Sequence, residues 1–246
     1  EDGGGWKQDT LTEDLDLSYR AQLKGWKFVY LPEMTSPAEL PPDMKAFKAQ
    51  QFRWTKGGTQ NAINLLPKVL LSKIPLKVKV EAFFQLTAFC LHIFMFALVL
   101  LMFPAMFLKC LPMETGGIWR VLVDIGIFSL ATMSVTAFYC TGQMALGGNW
   151  YNPIKYGPVM MAIGVGLCVS NTKAILEALF GRKSGFVRTP KYGDKTSSNR
   201  YSDQTADADS HRKKRTVDWL PCVEFALGLY MIICIIISLF DTRAFL

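Results

Sequence analysis

Gln50-Gln51-Phe52-Arg53-Trp54, running into the charge-free tract that begins at Ala82, decides how this chain is read. Gln50, Arg53 and Trp54 are spaced three and four residues apart, so one helix face presents amide, guanidinium and indole together. Phe47 extends the same face. Pro41-Pro42 predicts the helix start, with Asp43 in its first turn. Lys68, Lys73, Lys77 and Lys79 follow among Leu65, Leu66, Val69, Leu70 and Leu71, a mixture suited to the headgroup region of a membrane. Upstream lies a second polar cluster, Thr12-Glu13-Asp14. Thr12 can cap a helix, and Glu13, Asp14 and Asp16 fill its first turn, where the helix dipole favours negative charge. Leu15, Tyr19 and Leu23 give that helix an apolar edge. Gly25 is placed to end it. Lys27 to Leu31 alternates as a short strand that Pro32 stops.

Half of the 246 residues are hydrophobic, and mean hydropathy is positive. No Asp, Glu, Lys or Arg occurs from Ala82 to Leu108, or from Ile125 to Ile154. About 20 apolar residues are enough to cross a hydrocarbon core. Spans are therefore predicted over Glu81–Leu108, Ile118–Gly142 and Trp219–Phe240. The loop around Met113 to Gly117 has few basic residues and is placed outside. Tyr156 to Thr172 is also charge-free, but it is short and holds Pro158, Gly164, Gly166, Ser170 and Asn171. The loop after it is rich in Arg and Lys, including Arg182, Lys183, Arg188 and Lys191, and the positive-inside rule keeps that loop in the cytoplasm. This segment is therefore expected to lie in the interface without crossing. Asp194 to Asp209 is polar and reads as a mobile linker.

The net charge of +7 sits outside the apolar tracts. It flanks membrane segments and forms no stripe with interleaved aromatics, which excludes nucleic acid as a partner. The six cysteines form no Cys-x-x-Cys pair, and His92 and His211 lie far apart, so no metal site is expected within this chain. Gly3-Gly4-Gly5 lacks the Lys-Ser/Thr of a phosphate loop and reads better as a tight turn.

With Thr12-Glu13-Asp14 and Gln50-x-x-Arg53-Trp54 in this order before a membrane tract, the chain resembles the membrane-embedded family 2 glycosyltransferases, in particular the cellulose synthase-like enzymes that make β-mannans and β-glucans. A third, imperfect match, Phe186-Val187-Arg188-Thr189-Pro190-Lys191, is similar to the gating loop of cellulose synthases, with Arg188 standing where that pattern has Val.

The resemblance implies an α-helical multi-pass membrane region after the C-terminal end of a GT-A type α/β domain. Residues 1–40 would end that domain, and 41–78 would form interfacial amphipathic helices. Residues 79–152 would form two spans, 153–181 an interfacial helix, 182–218 a basic gating loop and linker, and 219–246 a last span. It assigns the base to Asp14 and substrate contacts to Thr12, Glu13, Gln50, Arg53 and Trp54. Phe186, Thr189 and Lys191 would belong to a lid.

The implied reaction is inverting, processive transfer from a nucleotide-diphospho-sugar, UDP-glucose or GDP-mannose, to a growing polysaccharide that crosses the bilayer. The implied setting has a cytoplasmic catalytic side, in a bacterial inner membrane. A divalent metal, Mg or Mn, is expected in the whole enzyme, on ligands outside this chain. A nucleotide-binding half before Glu1 and a helix after Leu246 are further expectations, and residues 1–246 alone are expected to be inactive. The alternatives are a non-processive glycosyltransferase acting on a lipid, and a membrane transporter or scaffold without chemistry. The latter would need polar residues within its spans, and only His92, Asp124 and scattered Ser, Thr and Gln fit.

Overall fold

A computed structural model describes residues 2–7, 9–31, 33–109, 117–182 and 219–240. Its elements are α1 (Glu13–Leu23), α2 (Met44–Leu71), α3 (Leu76–Thr87), a 3₁₀ turn (Ala88–Cys90), α4 (Leu91–Lys109), α5 (Gly117–Ala145), α6 (Asn152–Leu179) and α7 (Leu220–Phe240). The described chain is helical.

It falls into two compact units. The first takes in Glu1–Phe96 and Leu167–Glu224, and the second Ala97–Gly166 and Phe225–Leu246.

In the first unit α2 is central. Its N-cap is Asp43, whose carboxylate accepts from the Ala46 amide at 2.7 Å. Asp43 thus precedes the first turn instead of lying within it, because an N-cap carboxylate satisfies an amide that the helix leaves without a partner. At the other end Ser72 Oγ donates to the Val69 carbonyl and Lys79 Nζ to the Leu70 carbonyl. α1 and α3 close on α2 around Tyr19, Leu65, Val69, Ala82 and Leu86. Burying each large apolar side chain contributes about 1.5–3 kcal/mol. Tyr19 keeps its polar end satisfied by donating to Gln85 Oε1 at 2.7 Å.

α1 ends as the sequence predicts. Gly25 takes φ +95°, its amide bonds the Gln22 carbonyl, and the Trp26 amide bonds that of Ala21, a Schellman pair. The strand expected over Lys27–Leu31 is absent. The described part of this stretch carries no ladder bonds, and Val29 and Tyr30 are over four-fifths exposed. Alternation prepares a strand, but a strand also requires a neighbour to complete its hydrogen bonds.

Among the described residues three helical stretches are long and apolar enough to cross a membrane: Leu76–Met102, Asn152–Leu179 and Leu220–Ile237. The first joins α3, the 3₁₀ turn and α4. The second is α6, which the sequence placed in the interface. By length and composition α6 meets the same condition as the other two. It differs in burial, with 44% of its apolar window covered by protein against 11% and 6%. The covered part includes Leu167, Cys168, Ala174 and Ile175. In the second unit Tyr230 of α7 donates to the Leu100 carbonyl of α4 at 2.8 Å.

Candidate active site

The site is built where the start of α1 meets the middle of α2. At about 100° per residue, Gln50, Arg53, Trp54, Gly57 and Asn61 all fall within one third of the α2 surface. The Asn61 amide donates to the Thr12 carbonyl at 2.9 Å and to Thr12 Oγ1 at 3.0 Å. The Leu11 amide donates to Gln60 Oε1 at 3.2 Å.

Thr12 sits so close to Gly57 that a Cβ there would lie 2.6 Å from Thr12 Oγ1 and 2.8 Å from its backbone nitrogen. Glycine inside a helix costs about 1 kcal/mol relative to alanine. Here it allows two backbones to touch. The next residue, Gly58, does the same for the ring of Phe89. Thr12, at the start of α1, is therefore held against the helix that carries Gln50, Arg53 and Trp54, seated one to two turns beyond Arg53; the cavity that Asp14 lines does not include those three side chains.

Thr12 is the N-cap of α1 by position, yet its side chain makes no capping bond. Its hydroxyl is engaged by Asn61 instead. Asp14 remains exposed, and among the described residues its carboxylate accepts from the neighbouring Leu15 amide, at 2.8 Å. It lines a cavity of about 550 Å³ with Trp6, Leu17, Ser18, Trp26 and Phe28. Asp16 has a different fate. It is buried and paired with Arg20 at 2.8 Å, and Arg20 also donates to the carbonyls of Gly3 and Gly5. The glycine-rich stretch is thus a tight turn, with Gly4 and Gly5 at φ +79° and +64°. Its carbonyls face the guanidinium, and a phosphate cradle would need amides there.

Gln50 and Arg53 are half-buried, and Trp54 is exposed. Glu13 is half-buried in the first turn of α1. Phe186, Thr189 and Lys191 lie outside the described residues. Among the described residues no three His, Cys, Asp or Glu side chains stand together as a metal site.

Three contributors escaped the sequence reading: Gly57, Asn61 and the aromatic wall of Trp6, Trp26 and Phe28. Gly57 and Asn61 continue the Gln50/Arg53/Trp54 face at helical spacing, and a Gly-Gly pair inside a helical pattern is itself a sign of close approach. The aromatic wall is gathered by the turns at Gly3–Gly5 and Gly25, which periodicity does not register.

A family profile described as glycosyl transferase family group 2 matches residues 1–109. The chain is 36% identical over 126 residues to "Probable glucomannan 4-beta-mannosyltransferase 3" of Oryza sativa subsp. japonica, covering 50% of this chain and 22% of that protein. It is 41% identical over 112 residues to "Glucomannan 4-beta-mannosyltransferase 1" of the same species, covering 42% and 21%. It is 37% identical over 108 residues to "Probable glucomannan 4-beta-mannosyltransferase 10" of Arabidopsis thaliana, covering 42% and 20%. The matched stretch is thus about a fifth of the length of these relatives. They are plant proteins and lend no support to a bacterial inner membrane. No solved structure matches the chain significantly. Residues 1–109 thus match the family 2 glycosyltransferases, and the chain is similar to plant glucomannan mannosyltransferases.

Proposed function

We propose that the chain carries the acceptor side and membrane passage of an inverting synthase that builds a β-linked mannan from a nucleotide-diphospho-mannose. The observation that carries this reading is the seating of Thr12 on Gly57 and Asn61. It anchors the start of α1, which carries the solvent-exposed carboxylate of Asp14, against the helix that bears Gln50, Arg53 and Trp54.

Asp14 takes the proton from the acceptor hydroxyl as the nucleotide leaves. Its exposure keeps it ready for that contact, whereas Asp16 is committed to Arg20. Glu13 stands beside it at the α1 start. Arg53 pairs in bidentate fashion with diphosphate oxygens, and Gln50 bonds the same group or the acceptor. Trp54 offers a flat face to the apolar side of a pyranose. The relatives' names speak for mannosyl transfer; GDP-mannose is therefore the proposed donor, with UDP-glucose as its rival. The spans carry the polymer across the bilayer.

Incubation of the full-length enzyme with radiolabelled GDP-mannose or UDP-glucose tests the proposal. The expected result is label from GDP-mannose in a polymer that endo-β-mannanase degrades. Label only in the lipid extract would overturn it in favour of a lipid glycosyltransferase, and absence of transfer from either donor would remove the activity.

A further inference from the structure

The α2 helix makes a second long-range contact that the chemistry above does not use. Lys56 lies three residues beyond Arg53 and has no exposed side-chain surface. Its ammonium donates to Glu177 Oε2 of α6 at 2.8 Å, and Glu177 is 20% exposed. Nearby contacts of α6 are also polar. Asn171 bonds the His92 ring at 3.0 Å, and Thr172 Oγ1 donates to the His92 carbonyl at 3.1 Å.

A buried ion pair is a poor source of stability. Desolvating both charges offsets their attraction, and an apolar pair of similar volume is often as stable or more so. Its distinctive property is selectivity. Greasy surfaces tolerate a small rotation or slip, whereas a buried ammonium has one acceptable partner. Rotating α2, or sliding α6 by one residue, strands Lys56 without its carboxylate. The pair therefore sets the rotation of α2 about its own axis. Arg53 is only about 60° from Lys56 around that axis, so it moves with any rotation. Glu177 is also two residues from the end of α6.

We propose that Lys56 and Glu177 are positioning residues. Their ion pair locks the azimuth of α2 against α6 and so sets where Arg53 and Trp54 stand in the site. The kinetic consequence rests on the glycosyltransferase reading; the geometric one does not.

The test uses the full-length enzyme in nanodiscs, labelled with 5-fluorotryptophan. The Trp54 resonance is assigned by its loss in Trp54→Phe. In the double variant Lys56→Met/Glu177→Leu the protein stays folded and donor KM holds. The Trp54 resonance shifts or splits, and kcat falls by up to about 10²-fold, the scale of a displacement near 1 Å. Lys56→Arg, which keeps the charge, returns both towards wild type. An unmoved resonance overturns the proposal, whatever happens to kcat. A moved resonance with wild-type kcat overturns its catalytic part. Should the apolar pair fail to fold, Glu177→Asp shortens the reach by one methylene and is read the same way. If the wild-type enzyme transfers no sugar, the glycosyltransferase reading fails, and the resonance alone still decides the positioning claim.

Discussion

Substituting Gly57 by alanine sets two opposed effects against each other, and the structure says which one wins. Alanine removes the entropic penalty of a glycine inside a helix, a gain of about 0.5–1 kcal/mol. The new methyl would sit 2.6 Å from Thr12 Oγ1 and 2.8 Å from both Thr12 Cγ2 and the Thr12 nitrogen. The hydroxyl and methyl could rotate away, but the nitrogen is backbone and cannot move without carrying Leu11 and Glu13 with it. Overpacking of this kind costs about 1–3 kcal/mol. The net expectation is destabilisation by about 1–2 kcal/mol, or a fall of a few degrees in Tm. Sugar transfer should drop by more than stability alone explains, because the displaced peptide leads directly into Asp14.

Thermal unfolding and steady-state transfer of the solubilised full-length protein would read both effects. Gly164→Ala is the control, since a Cβ there meets nothing within 4 Å; it should be neutral or slightly stabilising. If Gly57→Ala matched that control in Tm and rate, the seating of Thr12 on α2 would be refuted.

Four further outcomes are expected. Arg53→Lys keeps the charge but loses the planar fork, so transfer should fall strongly while the fold is retained; Trp54→Ala should reduce polymer length more than donor hydrolysis, as product sizing and released nucleotide would report. Glu177→Gln leaves the fully buried Lys56 ammonium without its carboxylate and should cost about 3–5 kcal/mol by denaturant titration, more than Lys56→Met, whose stranded carboxylate still reaches water. Burial raises the Tyr19 hydroxyl above its ordinary value of 10.0, so the unfolded chain releases this proton first. Its contribution is present below pH 10 and is lost as pH rises through the folded value. The stability gap between wild type and Tyr19→Phe should therefore narrow in unfolding curves taken above pH 10, and a constant gap would contradict the burial.

Local signals made much of this fold legible. Acidic residues at the start of α1 and Gly25 at its end announce that helix, and the charge-free tracts announce α4 and α5. The Gln50/Arg53/Trp54 face follows from helical spacing alone. What stayed hidden depends on partners far away in the chain. Val29 and Tyr30 alternate like a strand, but alternation cannot supply the neighbour a ladder needs. Asp43 was read one position inside the helix it caps, an ordinary uncertainty at helix ends. α6 has a composition that suits the bilayer and a surface that suits protein, and hydropathy sees only the first. Lys56 carried no signal of its own, because nothing near it in sequence reveals Glu177. Gly57 is the intermediate case. Its presence inside a helix was visible, whereas its contact with Thr12 was not.

The most direct test of the central claim is single-turnover sugar transfer by full-length enzyme carrying Asp14→Asn, with nucleotide affinity measured on the same preparation. Transfer should fall by about 10²–10⁴-fold, the usual loss for a positioned base, while the nucleotide binds as in wild type. Near-normal transfer would contradict that claim and would leave Asp14 as no more than an acidic residue at the start of a helix.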